Sequence, residues 1–377
     1  MAKAAEVVVA GHICLDIIPA FTHGDGALVP GALTEVGPAL MSTGGAVANT
    51  GLALHRLGVA TALLGKLGED TFAGEVVAIL EGYEASLAER MRRVAGETTS
   101  YTVVISPPGV DRYFLHCPGA NATFGLEDVP AGSLRGARLL HFGYPPLMRN
   151  LQVDGGEAMR GIFERAHGEG LVTSLDMAAI DPASETGRVD WRGWLARVLP
   201  EVDLFVPSYD EVCTMLDGEV PALTIEALDR VGERLLAMRA GIVAIKLGDE
   251  GLYLRTGDDV GRLDRVVKVL GLAVDAWVGR RLYVPCYQTE VVGTTGAGDC
   301  TIAGLLAALL RGEGPELAIR SAVGVGAASV ASADAVSAVP AWAEVERRIE
   351  RGWASHPVRL ALPGWRVVGD GPVMSAG

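Results

Sequence analysis

Residues 291–310 read VVGTTGAGDCTIAGLLAALL, and this stretch decides the fold. Two valines predict the end of a strand, a glycine-rich turn follows, and the run from Ala297 to Leu310 has the composition of a buried helix. The start of such a helix carries backbone N–H groups without partners, and the helix dipole makes that end positive. We therefore expect an anion-binding turn with one acid, Asp299, inside it.

Asp299 has a structural interpretation and a chemical one. An aspartate at a helix start is a common N-terminal cap. A carboxylate beside a phosphate-binding turn can also accept the proton of an incoming hydroxyl while the turn stabilises the transferred phosphoryl group. We predict Asp299 as the general base and the amides of Gly296, Ala297 and Gly298 as the anion hole. The turn is not a GxxxxGK[ST] or GxGxxG motif, because the first is missing from the chain and Thr301 replaces the third glycine of the second.

Composition excludes several classes of protein. The chain has 377 residues, long enough for one large domain or two ordinary ones, and its 49 glycines indicate many tight turns. The 32 basic and 46 acidic residues give a net charge of −14, so nucleic acid is not an expected partner. Five cysteines without a CxxC pair predict neither a disulfide framework nor a zinc site. The chain also has no apolar run of membrane-spanning length and no clear signal peptide, so we expect a cytoplasmic protein without a membrane partner.

The order of elements predicts a parallel sheet. From Leu139 the patterns of strand and helix alternate, which is typical of βαβ units, and residues 7–18 (VVVAGHICLDII) are interpreted as one buried opening strand. Two segments, about 18–43 and 98–124, contain short strands with no helix between them. We expect these segments to form a small sheet that projects from the main domain as a lid. Residues 1–355 are predicted as one domain and 356–377 as a C-terminal extension rich in glycine and proline.

Five segments resemble one known family. GTTGAGD, from Gly293, resembles the second signature of the ribokinase-like (PfkB) carbohydrate kinases, usually DTxGAGD. GHICLD, GGAVANTGLALHRLG, GKLGEDTFAG and GANATF match further family segments in the same order, so that the resemblance covers about residues 7–345. It implies a three-layer α/β/α domain with a mainly parallel sheet and a β-sheet lid. It also implies an ATP-dependent kinase that uses Mg²⁺ and phosphorylates a hydroxymethyl group of a small sugar or sugar-like compound.

The resemblance assigns a role to several residues on the acceptor side. Asp16 is expected to accept hydrogen bonds from sugar hydroxyls. Gly44 and Gly45 let the backbone approach the ligand, and Asn49 offers it both a donor and an acceptor. Arg112 lies on a lid segment that can fold over the sugar and exclude water. His12 is interpreted as a core or site-lining residue, not as a metal ligand.

On the nucleotide side, the candidates are Lys246, Gly248, Thr294 and Thr295, and Glu211 is expected to hold magnesium through water. The chain departs from the family pattern twice. Ser208 replaces the asparagine of the NxxE motif, and Gly293 replaces the first aspartate of DTxGAGD, which leaves a requirement for a monovalent cation open.

Two other interpretations remain open. A nucleoside kinase of the same family would need an aromatic or apolar wall for the base, which Phe21, Tyr113 and Phe114 can supply. A homologue that binds ligands but has lost catalysis is compatible with Gly293 and Ser208. A dinucleotide-binding oxidoreductase is disfavoured because no GxGxxG motif follows the first strand. Edges of the lid sheet offer a possible surface for a homodimer.

Overall fold

The computed structural model describes residues 4–21, 30–107, 113–369 and 371–376. Within these ranges the chain forms one large sheet, helices on both of its faces, and a separate four-stranded sheet. The predicted α/β class with a mainly parallel sheet and a lid is therefore confirmed. None of the described helices combines the length and the apolar character needed to cross a membrane.

The strands are β1 (Val7–Gly11), β2 (Cys14–Ala20), β3 (Gly37–Gly44), β4 (Thr61–Gly68), β5 (Met91–Val94), β6 (Tyr101–Ile105), β7 (Tyr113–Cys117), β8 (Leu139–Gly143), β9 (Val172–Asp176), β10 (Leu204–Phe205), β11 (Ile242–Lys246), β12 (Leu252–Thr256), β13 (Arg281–Val284), β14 (Arg366–Val367) and β15 (Met374–Ser375). The helices are α1 (Ala46–Arg56), α2 (Thr71–Tyr83), α3 (Glu157–Gly168), α4 (Trp191–Val198), α5 (Tyr209–Asp217), α6 (Ile225–Ala237), α7 (Val260–Leu270), α8 (Val274–Trp277), α9 (Ala297–Leu310), α10 (Pro315–Ser329) and α11 (Trp342–Glu350).

The large sheet has the strand order β14-β15-β13-β12-β11-β10-β9-β8-β1-β4-β5. Strands β11 to β5 in this order pair in parallel, and the pairs from β11 to β14 are antiparallel. β1 pairs with β4 on one side and with β8 on the other, so the order of connection reverses next to β1. In sheets of this kind ligands bind at such a reversal, beside the carboxyl ends of the strands.

Two hydrophobic cores cover the two faces of the sheet. Along β1, Val7 and Val9 belong to one core and Val8 and Ala10 to the other, as the two-residue period of a strand requires. Helices α1, α2, α7, α9, α10 and α11 pack on the first face, and α3 to α6 pack on the second. Helix α9 is buried along most of its length, which explains the small apolar residues of its sequence.

The lid sheet has the order β3-β2-β6-β7. Strand β2, the first of the four along the chain, corrects one prediction. Residues 7–18 form two strands, β1 and β2, and these lie in different sheets. The chain leaves the large sheet at Gly11, where φ is 122° and a Cβ atom would lie 2.3 Å from the carbonyl oxygen of Gly143. Asp16 therefore lies on the lid strand β2, beside Ser42 of β3, and not at the end of the opening strand of the large sheet.

The approach to α9 corrects a second prediction. Val291 and Val292 do not end a strand, and their side chains are 62% and 58% exposed. The backbone N–H groups of Val292 and Gly293 both donate to the carbonyl oxygen of Val330, at 2.8 and 3.1 Å. The segment is thus a loop tied to the end of α10. Beyond residue 356, the C-terminal segment adds β14 and β15 to the large sheet through the pairing of β15 with β13.

Candidate active site

Two cavities meet at the N-terminus of α9. The lid cavity, of about 670 Å³, lies between the lid sheet and the carboxyl ends of the parallel strands, and it includes Asp16, Asn49, Thr295, Gly296 and Asp299. The α10 cavity, of about 350 Å³, is the space between α10, the turn and the end of β11. It is lined by Lys246, Gly248, Gly251, Tyr287, Thr294, Ala297, Gly298, Val323, Ala327 and Val330, among others. The glycine-rich turn is therefore the wall that separates the two cavities.

The turn has the conformation that an anion site requires. Gly296 is the N-cap of α9, with φ 71° in the left-handed region, where a side chain would be strained. A Cβ atom at this position would also lie 2.4 Å from the Cβ atom of Ala335. The first amides of α9 follow directly, at the positive end of the helix dipole. Glycine at this position is thus explained by backbone conformation and by close packing together.

Asp299 is only 2% exposed, and three neutral donors contact its carboxylate. Asn49 Nδ2 donates to Oδ2 at 3.0 Å, Tyr144 Oη donates to Oδ2 at 2.8 Å, and Thr50 Oγ1 donates to Oδ1 at 3.2 Å. Burial raises the pKa of Asp299, and hydrogen bonds from these residues together with the charge of Lys246 oppose that rise. The side chain is not an N-cap, because Gly296 occupies that position. The arrangement holds a carboxylate at the wall of the lid cavity, as a proton acceptor requires.

A buried ion pair lies on the other side of the turn. Lys246 Nζ is 2.7 Å from Oδ1 of Asp176, and the second oxygen of this carboxylate has no hydrogen-bond partner among the described residues. Burial alone lowers the pKa of Lys246, but the carboxylates of Asp176, Glu211 and Asp299 outweigh burial and raise it. The lysine is therefore charged. It lies close to the turn, since a Cβ atom at Gly298 would be 3.5 Å from its Nζ atom.

Asp16 projects into the lid cavity. Its carboxylate is so close to Gly44 that a Cβ atom there would lie 2.3 Å from Oδ2. Burial raises the pKa of Asp16 to about 6, and hydrogen bonds from Cys14 and Thr102 lower it in part. Gly45, with φ 86°, is the N-cap of α1. The two glycines thus allow the lid strand and the start of α1 to meet at the cavity.

The predicted residues separate between the two cavities. The predicted residues that line the lid cavity are Asp16, Gly45, Asn49, Thr295, Gly296 and Asp299. Those that line the α10 cavity are Lys246, Gly248, Thr294, Ala297 and Gly298.

Glu211 lies in the first turn of α5, where it and Ser208 form a capping box: Ser208 N donates to Glu211 Oε2 at 2.8 Å. No group of three or more His, Cys, Asp or Glu side chains in the described part of the chain could hold a metal ion directly. Arg112 lies outside the described residues.

A model of the pfkB family of carbohydrate kinases matches residues 4–342. The chain belongs to this family. An uncharacterised sugar kinase of Archaeoglobus fulgidus is 26% identical over 67% of this chain and 84% of its own length. A nucleoside kinase of Methanothermobacter thermautotrophicus is 24% identical over 79% of this chain and 81% of its own length. The structure of Arabidopsis thaliana ribokinase complexed with ribose and ATP matches with a TM-score of 0.69 at 20% identity, over 92% of this chain and 98% of that chain.

Family membership confirms the resemblance and the fold, and it makes the protein a sugar or nucleoside kinase. Four residues that were not predicted lie beside the predicted ones in this pfkB family kinase: Thr50, Tyr144, Asp176 and His116. Asp176 and Tyr144 stand at the carboxyl ends of β9 and β8. A polar residue at that end of a buried parallel strand was a usable signal. The contact of Thr50 with Asp299 had no such signal, because it joins α1 to a helix far along the chain.

Proposed function

We propose that this kinase transfers the γ-phosphoryl group of ATP to a hydroxymethyl group of a small sugar or sugar-like acceptor. One observation carries the proposal: a buried carboxylate, Asp299, lies at the turn that separates two cavities. The acceptor would bind in the lid cavity and the nucleotide in the α10 cavity. The transfer would then take place across the turn, in line, without a covalent enzyme intermediate.

In this proposal Asp299 takes the proton of the attacking hydroxyl. The donors Asn49, Thr50 and Tyr144 favour the ionised carboxylate against the effect of burial, and they fix its orientation before the acceptor binds. As the hydroxyl oxygen bonds to phosphorus, its proton passes to Asp299 and the bond to the leaving nucleotide breaks. Asp16 would accept hydrogen bonds from other hydroxyls of the acceptor and set its position.

The charges on the α10 side suit a nucleotide. The amides of Gly296, Ala297 and Gly298 would stabilise the transferred phosphoryl group, and the charged Lys246 beside Gly298 would add to this. Val323, Ala327 and Val330 offer an apolar surface for a base. The carboxyl groups of Asp176, Glu211 and Asp299 all act on Lys246, and burial raises the pKa of Asp176 to about 8. Carboxyl oxygens are the ligands that a divalent cation prefers, and a cation bound here would favour their ionised forms. Glu211 would hold Mg²⁺ through water, and the ion would neutralise charge on the phosphate oxygens.

A nucleoside is the second candidate acceptor. Ile18, Val104 and Phe114 form an apolar part of the lid cavity that a base can contact, and a nucleoside kinase is among the relatives. A panel of sugars, polyols and nucleosides, with release of ADP as the readout, separates the two candidates. The higher kcat/KM identifies the acceptor class.

The decisive variant is Asp299→Asn, which keeps the size of the side chain and removes the base. On the best acceptor of the panel we expect kcat to fall by roughly 10²- to 10⁴-fold, the usual contribution of a general base. Asp190→Asn is the matched control, because Asp190 also lies at a helix start but caps α4. Full turnover by Asp299→Asn would refute the proposal. ADP release with no compound of the panel would favour a homologue that binds ligands without catalysis.

The lid homodimer remains a proposal as well. The edge strands β3 and β7 carry exposed apolar side chains, among them Leu40 at 53% and Leu115 at 58%. Burial of such edges against a second copy would remove the apolar area from water. Light scattering on a chromatography column tests this: a monomer at micromolar concentration would contradict it.

A further inference from the structure

His12 is a buried side chain that the proposed mechanism leaves unused. It follows β1, is 2% exposed and lines the lid cavity. Neither of its ring nitrogens has a hydrogen-bond partner within the part of the chain that the structure describes. Burial lowers the pKa of His12 to about 3, and repulsion by His116 adds to the effect, so the ring is neutral. It therefore carries one N–H donor and one nitrogen acceptor that no described protein atom satisfies, and both nitrogens are buried from solvent.

A second imidazole lies beside the first. The ring of His116, on the lid strand β7, is 5.2 Å from that of His12 between centroids, and it also lines the cavity. Its Nδ1 atom is 3.0 Å from Thr102 Oγ1, so Nε2 is the nitrogen that can contact a ligand. Desolvation lowers the pKa of His116 too. One ring comes from the large sheet and the other from the lid, so both meet the same occupant of the cavity.

The surrounding charges restrict that occupant. Among the described residues that line the lid cavity, the carboxylates are Asp16, Asp181, Asp299 and Asp334, and neither lysine nor arginine is present. A phosphate or carboxylate group on the acceptor would face these acids next to two neutral rings. An anion with no cationic partner among these described residues is in an unfavourable place. Arg112, the cation predicted for the lid, lies outside the described residues and enters neither side of this comparison. A hydroxyl or amide group, in contrast, can both donate to and accept from a neutral imidazole.

We propose that His12 and His116 form a subsite that hydrogen-bonds an uncharged acceptor, at hydroxyl or amide groups other than the one phosphorylated. This inference rests on the proposed kinase function and specifies its acceptor. The two rings are specificity-determining residues: they bind the acceptor, and they take no part in proton transfer. The unsatisfied nitrogens of His12 are a cost in the free protein that a bound acceptor removes.

The first experiment compares acceptors. Release of ADP from ATP is measured in the presence of Mg²⁺. The uncharged acceptors are D-ribose, D-fructose, adenosine and uridine, and the phosphorylated ones are D-ribose 5-phosphate and D-fructose 6-phosphate. We expect the best uncharged compound to exceed either phosphate by roughly 100-fold or more in kcat/KM. A sugar phosphate as the better acceptor would overturn the inference and leave the kinase proposal intact. If no compound releases ADP, the kinase proposal fails and the inference fails with it.

The second experiment tests the rings themselves. We expect His12→Leu and His116→Leu each to raise the KM of the best acceptor by roughly threefold to tenfold, the effect of one lost hydrogen bond, with kcat and the KM of ATP within about twofold. His12→Gln, which keeps a donor and an acceptor, should recover part of the loss. His141→Leu is the matched control, because His141 is also buried, neutral and unpartnered at Nε2 but does not line the cavity.

Two results would overturn the subsite. One is an unchanged acceptor KM in the leucine variants, and the other is an equal rise in His141→Leu. If His12→Leu does not fold, His116→Leu decides alone, because His116 lies on an exposed lid strand where leucine is tolerated.

Discussion

Removal of one hydroxyl group should change the pH dependence of the reaction. Tyr144 Oη donates to Asp299 Oδ2 at 2.8 Å, and this bond favours the ionised carboxylate. Tyr144→Phe removes the donor and leaves the bonds from Asn49 and Thr50 in place. Tyr144 has φ 67°, and phenylalanine meets the same backbone strain, so the substitution isolates the hydroxyl.

The size and the sign of the effect follow from the contact. A hydrogen bond to a charged group contributes about 1.5–3 kcal/mol, and about 1.4 kcal/mol corresponds to one pKa unit. The pKa of Asp299, already raised by burial, should therefore rise further in the variant, by the free energy of the lost hydrogen bond. A base works only when it is ionised. The acid limb of kcat/KM should shift to higher pH by the same amount, and the rate above that limb should change little.

The assay is a pH profile of ADP release, with saturating ATP and the best acceptor, for the wild type and the variant. Tyr253→Phe is the matched control, because Tyr253 is also a buried tyrosine that donates to a carboxylate, Asp229 Oδ1, at 2.7 Å. Its profile should coincide with that of the wild type. An acid limb of Tyr144→Phe that stays in place or moves to lower pH would refute the role given to Asp299.

Three further predictions concern other parts of the site. Lys246→Met should lower kcat for ADP release by roughly 10²- to 10³-fold, because it removes the cation beside the anion hole. Lys268→Met, on the exposed face of α7, is the control and should leave kcat unchanged. Gly44→Ala should displace the Asp16 carboxylate, which lies 2.3 Å from the added methyl group, and should raise the acceptor KM about tenfold. Gly82→Ala is the control, because its methyl group would meet no neighbouring atom within 4 Å, and it should leave the acceptor KM unchanged. The acceptor KM should fall as the pH rises through about 6, because ionised Asp16 accepts from hydroxyls and its protonated form accepts less well, and Asp16→Asn should abolish this dependence.

The sequence was sufficient for the elements with strong local signals. Helix α9 begins at Ala297 as predicted, since a glycine turn and a run of small apolar residues mark its start without ambiguity. The alternation from Leu139 likewise predicted the parallel part of the sheet. The prediction of a single opening strand was wrong for the opposite reason, because the local signal for the break in it is weak. VVVAGHICLDII is apolar almost throughout, and only Gly11 marks the point at which the chain passes from one sheet to the other.

The site was predictable only in part, because its contacts join distant segments. Asp299 could be proposed from its own turn, but the bonds from Asn49 and Tyr144 depend on how α1 and the end of β8 pack against α9. The ion pair of Lys246 with Asp176 depends in the same way on the register of the strands between them. Local patterns carry no information on such pairings, so the electrostatic surroundings of the base required the structure.

The pairing of β15 with β13 has a practical consequence for work with this protein. Without its last residues, Arg281–Val284 would become the outermost strand of the large sheet, with unpaired backbone groups and the apolar side chains of Leu282 and Val284. Uncovered strands of this type recruit other chains. Forms that lack β15 should therefore precipitate or self-associate.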